Sequence, residues 1–346
     1  MAGLKDKDRS IDYLRISLTD RCDLRCVYCM GADGIENKLG RDAILSLEEV
    51  LRFARLACAE GIKYIRLTGG EPLVRLGIVD LVKGLSQIPQ LEDLSMTSNG
   101  QLFARHASAL REAGLSRVTF SLDSTNGDTY RELTRGGDIA KVYAAIDEAL
   151  SLGYALVKIN ALAYQLTEDD LRQFIHMVQE KSVHVRFIEY MPLGHMGREL
   201  RKYPSPPVEK TGSLLSMADV KGAIDRLAAQ EGLGRLSPLA GGEAPLGHGP
   251  ARSYAFPCDN VAQRGSFGFI GIHSQKFCAR CNRLRLTADG KIRSCLFSDS
   301  EISVSEALRT NDQEALREGL LQAVASKPRS YKQQQGTQRA MSAIGG

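Results

Sequence analysis

No window of this 346-residue chain approaches the run of about 18 apolar residues that a membrane span needs. Its opening, MAGLKDKDRS, is polar and charged, with no apolar centre and no Arg/Ser-rich amphipathic stretch. It therefore predicts neither a signal nor a transit peptide, and cytoplasmic residence is the expectation. Low-complexity tracts are missing too, and the only repetition is an alternation of elements. Excess charge is small: 45 Lys and Arg against 41 Asp and Glu leave a net +4. That is far below the basic footprint of a dedicated nucleic-acid binder, although it suits an anionic small ligand. Histidine is scarce at the start, where His106 is the first of six.

Cysteine is what the chain does have. The eight cysteines are not scattered: Cys22, Cys26 and Cys29 crowd near the start, and Cys278, Cys281 and Cys295 near the end. With no export signal the thiols are expected to stay reduced, so the clusters point to metal ligation rather than disulfides. Cys58, on a predicted helix, and Cys258 stand apart and read as ordinary thiols.

Between residues 11 and 190, strand-like and helix-like segments alternate. Predicted strands cover Ile11–Leu18, Ile62–Thr68, Leu91–Thr97, Arg117–Leu122, Ala155–Ala163 and Val183–Tyr190. Helical periodicity covers Leu47–Glu60, Ile78–Leu85, Gln101–Ala113, Ile139–Leu152 and Glu168–Glu180. Six βα-type units predict a parallel sheet curled into an α/β, TIM-type barrel that is incomplete, since a closed one has eight. After Gly194 the character changes: a Pro-rich loop over Tyr203–Met217, a helix over Ala218–Gln230, then a Gly/Pro-rich connection to Pro250. The final third predicts short strands, with Asp289–Gly290 turning between Leu284–Thr287 and Lys291–Cys295. The expected division is a barrel core over 1–195, a linker or lid over 196–250, and an irregular lobe over 251–346 that closes the open side.

The first triad is spaced C-x3-C-x2-C in the loop after the first strand, at the edge where barrels place active sites. Three thiolates can hold three irons of a cubane cluster and leave the fourth open to a chelating ligand. A zinc site is the alternative, but structural zinc wants four ligands and no His or fourth Cys is near. The second triad is C-x2-C-x13-C, again three thiolates, and here zinc completed by His273 competes in isolation. Arg283 and Arg285 follow it and share one face of a predicted strand, a fork for an anionic or purine ligand. Arg15, Arg66, Lys158 and Arg186 each alternate with Leu, Ile, Val or Phe on barrel strands. Facing packed helices they would be buried unpaired charges, so the lumen is the expected side, where they make a cationic pocket. Structural ion pairs are the competing explanation for any one of them.

With Tyr28 before its last cysteine, the first triad resembles the signature of the radical S-adenosylmethionine enzymes. Thr68-Gly69-Gly70-Glu71-Pro72, one βα unit later, resembles that family's second motif. The resemblance implies a [4Fe-4S] cluster on Cys22, Cys26 and Cys29, with S-adenosylmethionine chelating the free iron. Tyr28, Gly70, Ser121 and Met191 match its cofactor-contacting positions.

The second triad with its arginines, Asp12–Ser17, Phe187–Gly194 and the terminal Ile344-Gly345-Gly346 narrow the resemblance to the GTP 3′,8-cyclase family, over nearly the whole chain. That resemblance implies a second [4Fe-4S] cluster on Cys278, Cys281 and Cys295, whose open iron meets guanine. It places Arg15, Arg66, Thr97, Lys158, Arg186, Arg283 and Arg285 at GTP. It also gives Arg283, Arg285, Gly345 and Gly346 catalytic roles, the last two as a tail entering the site. The implied reaction is radical cyclisation of GTP to (8S)-3′,8-cyclo-7,8-dihydroguanosine 5′-triphosphate, the first step of molybdopterin biosynthesis. Implied partners are a flavodoxin- or ferredoxin-like electron donor, cyclic pyranopterin monophosphate synthase as the next enzyme, and a second copy of the chain. Lys327-Pro-Arg-Ser-Tyr331 departs from the family's approach to the tail, which has His where Tyr331 stands. Three other readings stay open: a peptide-modifying radical enzyme, an iron–sulfur electron carrier, and a zinc-dependent nucleic-acid-binding module.

Overall fold

The computed structural model describes residues 3–6, 9–35, 38–164, 166–191, 216–239, 245, 249–257, 265–271, 277–330, 337, 339 and 341–344. Its strands are β1 (Lys5–Asp6), β2 (Arg9–Ser10), β3 (Tyr13–Ser17), β4 (Tyr64–Thr68), β5 (Asp93–Ser98), β6 (Arg117–Ser121) and β7 (Leu156–Ala163). They continue with β8 (Val183–Glu189), β9 (Ser237–Pro238), β10 (Arg252–Ala255), β11 (Ser266–Ile270), β12 (Arg283–Leu286), β13 (Lys291–Arg293) and β14 (Ile302–Ser303). The helices are α1 (Leu47–Glu60), α2 (Ile78–Ser86), α3 (Phe103–Glu112), α4 (Gly127–Thr134), α5 (Ile139–Ser151) and α6 (Glu168–Glu180). Beyond them lie α7 (Met217–Gln230), α8 (Ser305–Thr310), α9 (Gln313–Ala325) and the single turn α10 (Met341–Ile344).

Strands β3 to β8 lie side by side in chain order and run parallel, as six βα units require. The C-terminal third extends the same sheet. β12 adds parallel to β3 and β11 adds parallel to β8, with antiparallel strands beyond each. The segment expected as an irregular lobe therefore supplies a parallel strand to each edge of the partial barrel. Local periodicity could not show this, because both pairings join residues far apart in the chain.

Apolar and polar residues alternate along the strands. Leu14, Ile16, Ile65, Leu67, Val118, Phe120, Ile159 and Val185 are buried toward the helices. Arg15, Arg66, Thr119, Lys158 and Arg186 take the other face, and register sets Arg285, Arg15 and Arg66 in one row across β12, β3 and β4. Where β11 joins β8, Phe187 stacks between Phe267 and Phe269 at 6.0 and 5.9 Å. Helix α1 shows why helices form here. Ser46 and Glu49 close a capping box, and Val50, Phe53, Ala54, Ala57 and Cys58 make one buried stripe. Gly61 then ends the helix at φ 121°, a conformation other residues adopt at a cost. Helix α4 was not visible as periodicity; it has eight residues and buries only Tyr130, Leu133 and Thr134.

Among the described residues, no helix is long and apolar enough to cross a membrane.

Candidate active site

The first cysteine loop follows β3, at the C-terminal edge of the parallel strands. Cys22, Cys26 and Cys29 are half-buried and free of disulfides. The backbone N–H of Leu24 donates to Cys22 Sγ at 3.4 Å, and Asn99 Nδ2 lies 3.8 Å from the same sulfur. The Gly-Gly-Glu-Pro segment after β4 straps this loop from below. Gly70 N donates to Thr19 O at 2.7 Å and Glu71 N to Arg21 O at 2.8 Å. A Cβ on Gly70 would lie 2.1 Å from Arg21 O, so only glycine fits. Gly70 thus shapes the cysteine loop from behind; it is not among the residues lining the cavity described next. Glu71 is buried and accepts from Leu73 N, Ser98 Oγ and Asn99 N. Burial pushes its carboxyl up to about 8, against the pull of those donors.

A cavity of about 300 Å³ opens inside the curve of the sheet. Its C-terminal rim carries Tyr28, Ser121 and Met191, three of the four residues expected at S-adenosylmethionine. Tyr28 donates to Asp123 Oδ2, whose other oxygen accepts from Leu162 N at 2.8 Å. Within the strands the wall carries Arg15, Arg66, Thr97, Lys158, Arg186 and Arg285, with Arg283 at the start of β12, all seven residues expected at GTP. Cys278, Cys281 and Cys295 line the same cavity. Cys58 is buried in α1, apart from both triads, whereas Cys258, His273, Tyr331, Gly345 and Gly346 lie outside the described residues.

Two of the cations, Arg66 and Arg186, donate to neutral groups. Arg66 Nε donates to Tyr13 Oη at 2.7 Å, and its Nη1 donates to Thr97 Oγ1 at 3.1 Å and Thr119 Oγ1 at 2.8 Å. Arg186 Nη2 donates to Asn160 Oδ1 at 2.6 Å. With burial first and neighbouring cations second, Lys158 is driven well below its ordinary value, Arg186 to about 9 and Arg285 to about 10. A wall of clustered cations short of water is a site for a polyanion.

Electrostatically one cysteine stands out: burial pushes Cys295 up as it does the first triad, whereas Cys281 goes the other way. In the first, burial pushes Cys22 up to about 12 and Cys29 up to about 11. In the second, burial of Cys281 is outweighed by Arg283 and Lys327, which bring its thiol down to about 7. Lys327 Nζ is fixed there by the carbonyls of Arg283 and Ser294, at 2.5 and 2.7 Å. Phe297 N donates to Cys295 Sγ at 3.5 Å. Both sites offer three cysteine sulfurs with an N–H donor beside one of them, a donor set suited to an iron–sulfur cluster, whose binding would deprotonate the thiols. Among the described residues, no three His, Cys, Asp or Glu side chains converge on a point for one metal ion.

Sequence reasoning missed Tyr13, Thr119, Asn160 and Lys327. The first three are neutral residues that alternation alone could have placed on the lumen face. The sequence marks Lys327 only as the start of the approach to the tail, and nothing local places it beside the second triad.

The chain matches the family model described as Radical SAM superfamily over residues 16–178, and the one described as Molybdenum Cofactor Synthesis C over residues 224–333. It is 43% identical to a GTP 3′,8-cyclase of Moorella thermoacetica and 40% identical to one of Petrotoga mobilis. Each alignment covers 98% of both chains. Among solved structures, Streptococcus suis SuiB bound to S-adenosylmethionine superposes with a TM-score of 0.59, at 14% identity, over 91% of this chain and 69% of that one. Native anSMEcpe with bound AdoMet gives 0.56 at 15% identity, over 92% and 82%. At those identities the likeness concerns the fold alone. Full-length relatedness at this level settles the family: the chain belongs to the GTP 3′,8-cyclases of the radical S-adenosylmethionine superfamily.

Proposed function

We propose that the rim and the mid-strand wall of one cavity divide the two reactants of this family's reaction, with S-adenosylmethionine above and GTP below. The chain is a radical S-adenosylmethionine GTP 3′,8-cyclase of molybdenum cofactor biosynthesis. The observation that carries the division is one cavity lined by Tyr28, Ser121 and Met191 and also by the basic residues and the second triad.

Cys22, Cys26 and Cys29 would hold the [4Fe-4S] cluster of the family. When bound, that cluster and S-adenosylmethionine supply the 5′-deoxyadenosyl radical that takes the ribose 3′ hydrogen. The chain's own part is placement. Tyr28, braced by Asp123, packs at the adenine, while Ser121 and Met191 complete the rim and Gly70 lets the cysteine loop seat close by. Arg15, Arg66, Thr97, Lys158 and Arg186 orient the substrate through its anionic groups, which holds C3′ in reach of the radical and C8 in reach of C3′. Cys278, Cys281 and Cys295 would hold a second [4Fe-4S] cluster that meets guanine; the fit rests on the cationic surroundings of Cys281. Arg283 and Arg285 line the cavity with that triad and are assigned to the reduction that follows cyclisation, while Gly345 and Gly346 are assigned to a tail that enters beside the substrate. Water is excluded by burial of the wall, which protects the substrate radical.

Several further readings belong to the same proposal: a low-potential one-electron protein donor of the flavodoxin or ferredoxin class, cyclic pyranopterin monophosphate synthase as next enzyme, a homodimer and cytoplasmic residence. No role in nucleic-acid binding is assigned. The division into 1–195, 196–250 and 251–346 is kept as a functional one, because the sheet itself runs through the first and third parts. The test is anaerobic reconstitution with iron and sulfide, followed by S-adenosylmethionine, dithionite and GTP. Equal amounts of 5′-deoxyadenosine and 3′,8-cyclised dihydroguanosine triphosphate are expected. Cleavage of S-adenosylmethionine with no product derived from GTP would overturn the proposal.

A further inference from the structure

Helix α10 is a single turn against the cavity. Met341 lines the cavity, Ile344 is 1% exposed, and the Ile344 carbonyl accepts from Arg285 Nη1 at 3.1 Å. One helical turn has no stability of its own, so something else must hold it there. The neighbouring residues show what does. Arg339 Nη1 and Nη2 donate to the two oxygens of Asp289 at 3.0 and 2.9 Å. The same guanidinium meets Glu301 through Nη2 and Nε, each at 2.8 Å.

A second anchor adjoins the first. Arg293 is fully buried; its Nη1 donates to Glu301 Oε1 at 2.6 Å and its Nη2 to Thr337 Oγ1 at 2.9 Å. Thr337 Oγ1 donates in turn to Asp299 Oδ1 at 2.8 Å and accepts from Arg339 N at 3.2 Å. Asp289 occupies the turn between β12 and β13, and β12 carries Arg285. The anchor and Arg285 therefore sit on the same hairpin.

We propose that Arg339 is a positioning residue that latches the C-terminal tail to the β12–β13 hairpin, so that the Ile344 carbonyl orients Arg285 toward the substrate. The inference rests on the cyclase reading above. A planar guanidinium that meets two carboxylates in fixed geometry sets direction as well as contact, which a lysine cannot reproduce. The carboxyl of Asp289 is held well below the usual range against its burial by Arg339 and Thr287, which agrees with a persistent pair. The latch gives this chain a docking contact for a tail whose approach carries Tyr331 in place of the family's His.

The test compares the full-length, reconstituted enzyme with Arg339→Gln, Arg339→Lys and Thr337→Val. Carboxypeptidase release of the last residues, cyclisation kinetics, S-adenosylmethionine affinity and iron content are read together. Arg339→Gln is expected to speed trimming at least tenfold and lower kcat/KM for GTP at least tenfold. Iron content and S-adenosylmethionine affinity should stay within twofold. Arg339→Lys should fall between, and Thr337→Val should speed trimming about threefold. Unchanged trimming and cyclisation in Arg339→Gln overturn the latch. If that variant does not fold, Thr337→Val decides: faster trimming upholds the latch and unchanged trimming overturns it. A parent enzyme that does not cyclise GTP sinks the functional reading, while the trimming contrast still judges the latch separately.

Discussion

Arg66 reaches diagonally from β4 to Tyr13 on β3, donating from Nε to the phenol oxygen at 2.7 Å. Two threonines on β5 and β6 accept from Nη1 of the same guanidinium. Three neutral acceptors on three strands thus fix the group without neutralising it, and its positive charge stays available to a phosphate. Tyr13→Phe removes one acceptor from a buried site. A loss of about 1 kcal/mol is expected, read as a roughly fivefold rise in KM for GTP. Arg66→Ala should raise that KM at least tenfold. S-adenosylmethionine affinity, measured by equilibrium dialysis, should not change in either variant.

The two cysteine triads should separate by variant. Cys22→Ala is expected to abolish S-adenosylmethionine cleavage and leave about four irons per chain from an initial value near eight. Cys281→Ala should lose a similar share of iron yet keep slow, GTP-independent cleavage. Iron assay with electron paramagnetic resonance spectroscopy checks both. Full iron content in Cys281→Ala would contradict a second cluster.

Gly70→Ala places a Cβ 2.1 Å from Arg21 O, and backbone cannot yield by that much without moving the cysteine loop. The expected result is loss of the signal from the N-terminal cluster with the second cluster's signal retained. Cleavage of S-adenosylmethionine should fall at least a hundredfold.

Lys158 is held well below its ordinary value of 10.5, first by burial and then by Arg186, Arg66 and Arg117, with Asp93 opposing them. Its folded value lies below its unfolded one, so the unfolded chain binds more protons between the two. Stability of the unliganded protein therefore rises with pH through that window. A polyanion in the cavity restores the charged form, so GTP binding should take up protons there and weaken as pH rises. Calorimetry in buffers of different ionisation enthalpy measures the uptake, and Lys158→Met should remove most of it. Equal heats in all buffers would contradict the assignment.

Much of the fold was legible because the strands alternate so regularly. The runs Leu14–Arg15–Ile16 and Ile65–Arg66–Leu67 already showed which side faced the lumen. The cysteine spacing exposed both triads. What stayed hidden depended on distant partners. β12 looks like one arm of a hairpin and β11 like one short strand among several until their parallel neighbours are known. Lys327 reaches the second triad through contacts to residues 44 and 33 positions earlier in the chain. Tyr13 and Thr119 carry no charge to draw notice, and their part emerges only from the direction in which Arg66 points. The anchor of the tail was illegible for the same reason, since Asp289 read simply as a turn residue.

One cavity that brings the radical source to the ribose of GTP is the centre of this mechanism. GTP deuterated at C3′ tests it most directly, with mass analysis of the 5′-deoxyadenosine formed in a single turnover. Transfer of one deuterium from C3′ is the predicted result. Product 5′-deoxyadenosine without deuterium, formed while GTP is consumed, would contradict it.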